Sequence, residues 1–194
     1  MRWKTSAKKV YHFIFVEDSF LSWVVNFALA FLFVKFVLFP VLALALGTQL
    51  PLVAVISGSM EHEGMAFDQW WDTRGEWYLD KNISNQTFRS YSFFNGFDKG
   101  DVMVLINGEN LVVGDVLVYS TSSYPYPIIH RVVAISEEGY EVKGDHNSDS
   151  DPVIVSRDKV VGKALYRIPK LGWVKIWAVA IWEQFKGGTN ALLS

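Results

Sequence analysis

The sequence predicts a mainly β protein: an N-terminal transmembrane helix, then a β-rich domain, then a short C-terminal amphipathic helix. Three observations predict it. An apolar run from Phe20 to Leu46 carries Lys35 as its only formal charge. Five strand-like stretches separated by Gly, Asn, Asp, Ser and Pro follow between residues 101 and 168. The tail over 171–185 is apolar, with Trp173, Trp177 and Ile181 on one helical face.

The anchor comes first. About 20 apolar residues cross a bilayer core as a helix, and the run from Phe20 is longer than that. A cleaved leader is the competing reading, with Ala43, Leu44 and Ala45 posing as its cleavage site. It fails on length, since the apolar part of such a leader is only about 7 to 15 residues. Residues 20–48 are therefore read as an anchor. Arg2, Lys4, Lys8 and Lys9 precede it, which favours a cytoplasmic segment over 1–19 and places everything after residue 50 outside the cell membrane, on a single pass. Lys35 marks a polar path, a break near Pro40 or an amine that snorkels; one lysine in a long span costs only about 3 kcal/mol.

The remaining composition narrows the partners. With 194 residues there is room for one ordinary domain and its appendages. A net charge of -2 supplies no basic face, so no nucleic-acid partner is expected. Cysteine is absent, which removes disulfides, thiolate zinc sites and a cysteine nucleophile together.

Residues 50–168 read as the exposed unit. Strands are expected at 101–106, 115–120, 127–135, 140–144 and 159–168, with an extended segment around Val53 and Val55, and no helical period of useful length interrupts them. Strands of that length and spacing suggest a barrel or rolled sheet. An aromatic-rich insertion over 61–98 holds Trp70, Trp71, Trp77, Tyr78, Tyr91, Phe93, Phe94 and Phe97. It is a lid, a membrane-interface patch or an elaboration of the core, and its Asn82-Ile-Ser84 and Asn85-Gln-Thr87 triplets are glycosylation sequons. Residues 169–194 form the tail, too short to cross, read either as an interfacial helix or as one packed on the core.

Chemistry enters where the apolar run ends, in "LVAVISGSMEHEG". Ser57, Gly58 and Ser59 suit a turn or a helix cap. As a nucleophile, a serine hydroxyl needs a base. Of four histidines, His12 falls on the cytoplasmic side, leaving His62, His130 and His146. His130 lies in "YPIIHRVVAI", where a lone histidine is commonly a packed core residue. The following loop, "KGDHNSDSDP", carries Asp145, Asp149 and Asp151. It reads as an ordinary turn, as the acid of a Ser-His-Asp set in that chain order, or as a calcium loop, though the EF-hand pattern is not met.

Together, Ser-Gly-Ser-Met (57–60) after a span, the Gly-Asp-Val strands (100–102 and 114–116), His-Arg-Val (130–132) and Lys-Gly-Asp-x-Asn with a further Asp (143–151) resemble the type I signal peptidases. The version matched is the archaeal and endoplasmic-reticulum type, which has His where bacterial enzymes have a catalytic Lys. The resemblance covers about residues 20–168. It implies a β-rich catalytic fold and a serine endopeptidase that removes signal peptides from preproteins at the outer face of a membrane. Ser59 would be the nucleophile, His130 the general base and Asp151 the acid, with Asp149 a rival for that place. Ser57 would support an oxyanion hole beside the backbone N–H of Ser59. Asp145 matches a second acidic position, with a structural role as one reading. No cofactor or metal is implied. The expected partners are preprotein signal peptides and the lipid bilayer, with room for accessory membrane subunits.

The chain departs from the family pattern at His62, where proline is usual, and in the insertion that delays the Gly-Asp-Val strand. A Ser-Lys peptidase using Lys143 or Lys163, and a non-catalytic membrane-anchored binding module, remain open.

Overall fold

The computed structural model describes residues 2–173 and 176–177; most of the tail helix expected over 171–185 lies outside the described residues. The chain divides into two compact units, Met1–Ala45 and Leu46–Ser194.

In the first unit a helix over Arg2–Phe15, not foreseen from the sequence, precedes the apolar helix. The turn between them is closed by side chains. Ser19 caps the second helix by accepting from the Ser22 N–H at 3.2 Å. Ser22 Oγ donates to the Phe13 carbonyl at 2.6 Å, and Asn26 Nδ2 to that of Ile14 at 2.7 Å. Both acceptors lie in the last turn of the first helix, where carbonyls lack intrahelical partners.

The apolar helix runs from Phe20 to Leu46, long and apolar enough to cross a membrane, with none of its most apolar stretch buried in the protein. It does not break at Pro40. Proline has no N–H to donate and its ring crowds the carbonyl four residues earlier, here that of Phe36. The helix absorbs this by widening to a π turn over Val34–Leu38, in which the Phe39 N–H reaches back to the Val34 carbonyl.

The second unit is built on one six-stranded sheet, antiparallel at every pairing. Its strands are β1 (Leu52–Ala54), β2 (Val102–Ile106), β3 (Val116–Tyr119), β4 (Ile128–Ile135), β5 (Tyr140–Lys143) and β6 (Val160–Ile168). Their order across the sheet is β1-β2-β6-β3-β4-β5. All five expected strand stretches are occupied. The sheet is rolled: β1 and β4 are separated by three strands, yet Val53 and Ile129 contribute to one apolar cluster with Val55, Met60, Val116 and Val118. Leu117, Tyr119, Val132 and Val142 pack on the other face under Val155.

The insertion corrects the expectation that no helix interrupts the strands. Residues Phe67–Asp80 and Asn85–Arg89 are helical. The longer helix was hard to read because aromatic and acidic residues blur its apolar stripe and Gly75 interrupts it, at a propensity cost of about 1 kcal/mol. That glycine is required by packing, for a Cβ there would fall 2.5 Å from the Trp71 ring. Phe67, Trp70, Tyr78, Ile83 and Phe88 are buried and pack on Val133 of β4. Of the three readings of this segment, elaboration of the core is the one observed for these rings.

Candidate active site

Two consecutive residues of β4 organise the site. His130 is paired with Leu117 of β3, while Arg131 is paired with Val116 of β3 and with Lys143 of β5. Successive side chains of a strand leave opposite faces of the sheet. His130 therefore faces the side of Tyr119, and Arg131 faces the insertion. Each meets an aspartate from the loop that follows β5.

On the first face, His130 Nδ1 lies 2.7 Å from Asp151 Oδ2. The chain is brought back to this point by the Asp151 N–H, which donates to the Val142 carbonyl at 2.8 Å. Tyr119, at the end of β3, donates its hydroxyl to the same Asp151 oxygen. Burial pushes the Asp151 carboxyl upward, and the hydrogen bonds from His130 and Tyr119 outweigh it, holding the group below the ordinary carboxylate value. His130 and Asp151 are mostly buried, at 8% and 14% side-chain exposure.

Ser57 and Ser59 follow β1, with their hydroxyl oxygens 3.2 Å apart. The loop after β5 holds this segment from behind: the His146 N–H donates to the Ser59 carbonyl at 2.9 Å. Gly144 permits that approach, because a Cβ there would sit 2.6 Å from the Ser59 carbonyl oxygen. Ser57, Ser59, Tyr119, His130 and Asp151 line one cleft of about 680 Å³, together with Val53, Ile56, Ile128, Val153 and other apolar residues. No hydrogen bond joins Ser59 to His130 among the described residues, and none is made by His130 Nε2, the ring nitrogen left over after the bond to Asp151.

On the second face, Asp145 is fully buried and receives a fork from Arg131, Nε to Oδ1 at 2.9 Å and Nη2 to Oδ2 at 2.7 Å. Arg131 spends its remaining donors on the carbonyls of Ser92, Phe93 and Gly114, so all five N–H groups are satisfied. Burial pushes the Asp145 carboxyl upward, but the Arg131 guanidinium and the neighbouring His62 together more than offset it and hold the group at about 2. Lys143 is buried on this face too, donating to the carbonyls of Gly144 at 3.0 Å and Asn147 at 2.7 Å. Burial lowers its ammonium to about 8. His62 stacks on Trp70 at 3.9 Å between ring centroids, with Nε2 3.6 Å from Asp145 Oδ2.

Asp149 is exposed and bonds to none of His130, Ser57 and Ser59; its Oδ1 accepts from Trp77 Nε1 at 3.0 Å and from the Ser150 N–H at 2.8 Å. The structure thus gathers Ser57, Ser59, His130 and Asp151 around one cleft, and puts Asp145 behind the sheet and Asp149 on the surface. Tyr119 and the full reach of Arg131 were missed from the sequence. Tyr119 shares a strand face with Leu117, the partner of His130, but that signal appears only once the register of β3 on β4 is known.

No family model matches the chain. Individual proteins do. The signal peptidase complex catalytic subunit SEC11 of Zygosaccharomyces rouxii is 28% identical over 150 residues, 70% of each chain. The SEC11 of Colletotrichum graminicola is 28% identical over 170 residues, 80% of this chain and 78% of the relative. That of Eremothecium gossypii reaches 37% over 94 residues, 41% of this chain and 56% of its own length.

Along most of its length the chain is similar to catalytic subunits of the signal peptidase complex. The resemblance stated from the motifs and the likeness along most of the chain point to the same family. His62, standing where the signal peptidase pattern has proline, lies behind the sheet from His130. The insertion that delays the Gly-Asp-Val strand supplies the carbonyls of Ser92 and Phe93 that receive Arg131.

Proposed function

We propose that this chain is a membrane-bound serine endopeptidase that removes signal peptides from preproteins at the outer face of a membrane. Ser59 attacks the scissile carbonyl while the imidazole of His130 takes its proton through Nε2, and the same imidazole then protonates the departing amine. Water, activated in turn by His130, releases the acyl group from Ser59. Asp151 holds Nδ1–H and so presents Nε2 toward the cleft. The Ser59 N–H and Ser57 hydroxyl stabilise the oxyanion, a donor of this kind contributing about 3 to 4 kcal/mol. Accessory membrane subunits are compatible with this reading, since the relatives are named as parts of a complex.

The observation that carries the proposal is the His130–Asp151 hydrogen bond at 2.7 Å in the cleft that Ser57 and Ser59 also line. The Ser-Lys alternative draws no such support. Lys143 is turned to the opposite face, and Lys163 is paired with Asp115 at 2.7 Å. The full chain in detergent or liposomes, given a preprotein, is expected to cleave it, and Ser59→Ala, His130→Ala and Asp151→Ala are each expected to abolish cleavage while melting like the parent. Full activity in His130→Ala would remove the histidine mechanism. An inactive parent would favour a membrane-anchored binding module.

A further inference from the structure

We propose that Tyr119 is a positioning residue for this site: its hydroxyl donates to the Asp151 oxygen that also receives His130 Nδ1–H, and so aims the carboxylate, and through it the imidazole, at Ser59. This rests on the function proposed above and adds a fourth member to its machinery.

The need for such a residue follows from the geometry of a carboxylate. Asp151 sits on a loop, and its carboxylate turns freely about its bond to Cβ. A single hydrogen bond to an imidazole fixes the distance between the two groups but leaves both able to swing together. A second donor from a different element removes that freedom. Tyr119 supplies it from β3, where cross-strand pairing with Ile128 of β4 and Val160 of β6 fixes its backbone. Both donors converge on Oδ2, an oxygen with lone pairs enough for two. The phenol is itself largely buried, 7% exposed, in the apolar cluster with Leu117, Val132 and Val155. Burial and then the bond to Asp151 raise its pKa, so the hydroxyl keeps its proton and remains a donor across the working range.

The hydroxyl also moderates charge. A carboxylate that shares its lone pairs with a phenol pulls less strongly on the imidazolium than one bonded to imidazole alone. The charged and titratable groups around this corner, beside His130 and Asp151 themselves, are Tyr119, Tyr124 and Tyr126, Lys143 from behind the sheet, and Lys159 at the cleft wall.

The test is Tyr119→Phe in the full chain, assayed against a preprotein over a pH series, alone and in an Asp151→Asn background by single-turnover cleavage. We expect kcat to fall about tenfold with KM changed less than about twofold, since a small misplacement of a catalytic group lowers rate more than binding. In the Asp151→Asn background the same substitution should cost less than about twofold, because the carboxylate through which Tyr119 acts is gone. If Tyr119→Phe also lowers the melting temperature, the two backgrounds still decide, for a purely structural loss would appear equally in both. Parent-like kcat in Tyr119→Phe, or equal losses in both backgrounds, would overturn the inference while Ser59→Ala stays inactive. An inactive parent would instead overturn the function on which it rests.

Discussion

His130–Asp151 and Arg131–Asp145 are neighbouring pairs of the same kind, a nitrogen cation or its precursor set against a carboxylate. They arise from consecutive residues of β4 and from one loop. Yet they sit on opposite faces of the sheet and do opposite things. The arginine pair is completely buried, every donor of the guanidinium is used, and it ties the insertion, the turn before β3 and the loop after β5 to a single point. The histidine pair lines a cleft and leaves a ring nitrogen unspent. Saturation makes a strut, whereas a ring nitrogen with a free lone pair at a cleft is what the proposed mechanism would use as its base. Residue chemistry alone does not separate the two carboxylates; their surroundings do.

The comparison can be broken most sharply at the cleft. Asp151→Asn is expected to lower kcat by about 10⁴, because an amide no longer holds the imidazole in the tautomer that accepts a proton at Nε2. Its thermal melt should stay near the parent's, and a large loss of stability would mean that this pair is a strut as well.

Next in size is the other face. Asp145→Asn strands a buried guanidinium, and losing one partner of a buried pair costs about 3 to 5 kcal/mol. Urea or thermal denaturation should show it, and activity should fall only with the folded fraction. The same pair sets an acid limit. Because the Asp145 carboxyl is lower in the folded chain than its ordinary 3.8, the stability it contributes is present above that value and is lost as pH falls toward about 2. Melting temperature followed from pH 5 downward in parent and Asp145→Asn should lose its steepest segment in the variant.

A smaller effect comes from Lys143, the third charge behind the sheet. Its folded pKa, about 8, lies below the ordinary 10.5, so the unfolded chain binds more protons between those values. Stability should therefore rise with pH from about 8 to about 10.5, a rise that Lys143→Met should lack. The smallest effect is expected at Asp149, on the surface with Trp77: Asp149→Ala should leave both cleavage and melting temperature unchanged, and a large loss of cleavage would reopen its claim to Asp151's place.

How much could be read in advance follows the reach of each signal. The five strand stretches after residue 100 stood out because β-branched runs bounded by Gly, Asn and Asp need no knowledge of what they pack against. The apolar helix was equally plain from length and hydropathy. The helix Phe67–Asp80 was missed since its aromatic stripe is stabilised by the outer face of β4 rather than by intrinsic propensity. The serines and histidine were visible as candidates through motifs. Among three aspartates within seven residues the motif resemblance pointed to Asp151 and left Asp149 as its rival, because spacing along a loop does not say which carboxylate reaches the imidazole.

The amino-acid order alone therefore determined an apolar helix long enough to cross a membrane, a set of strands and a short menu of candidate nucleophile, base and acid, because those depend on hydropathy, local propensity and side-chain chemistry. Tertiary structure decided which aspartate meets His130, that Arg131 is a strut, that Tyr119 also reaches Asp151 and that rings of the aromatic insertion are buried. Each of those depends on strand register and on which face of β4 a side chain leaves. A shift of one residue in the pairing would exchange His130 and Arg131 between the two faces, and with them the cleft and the strut.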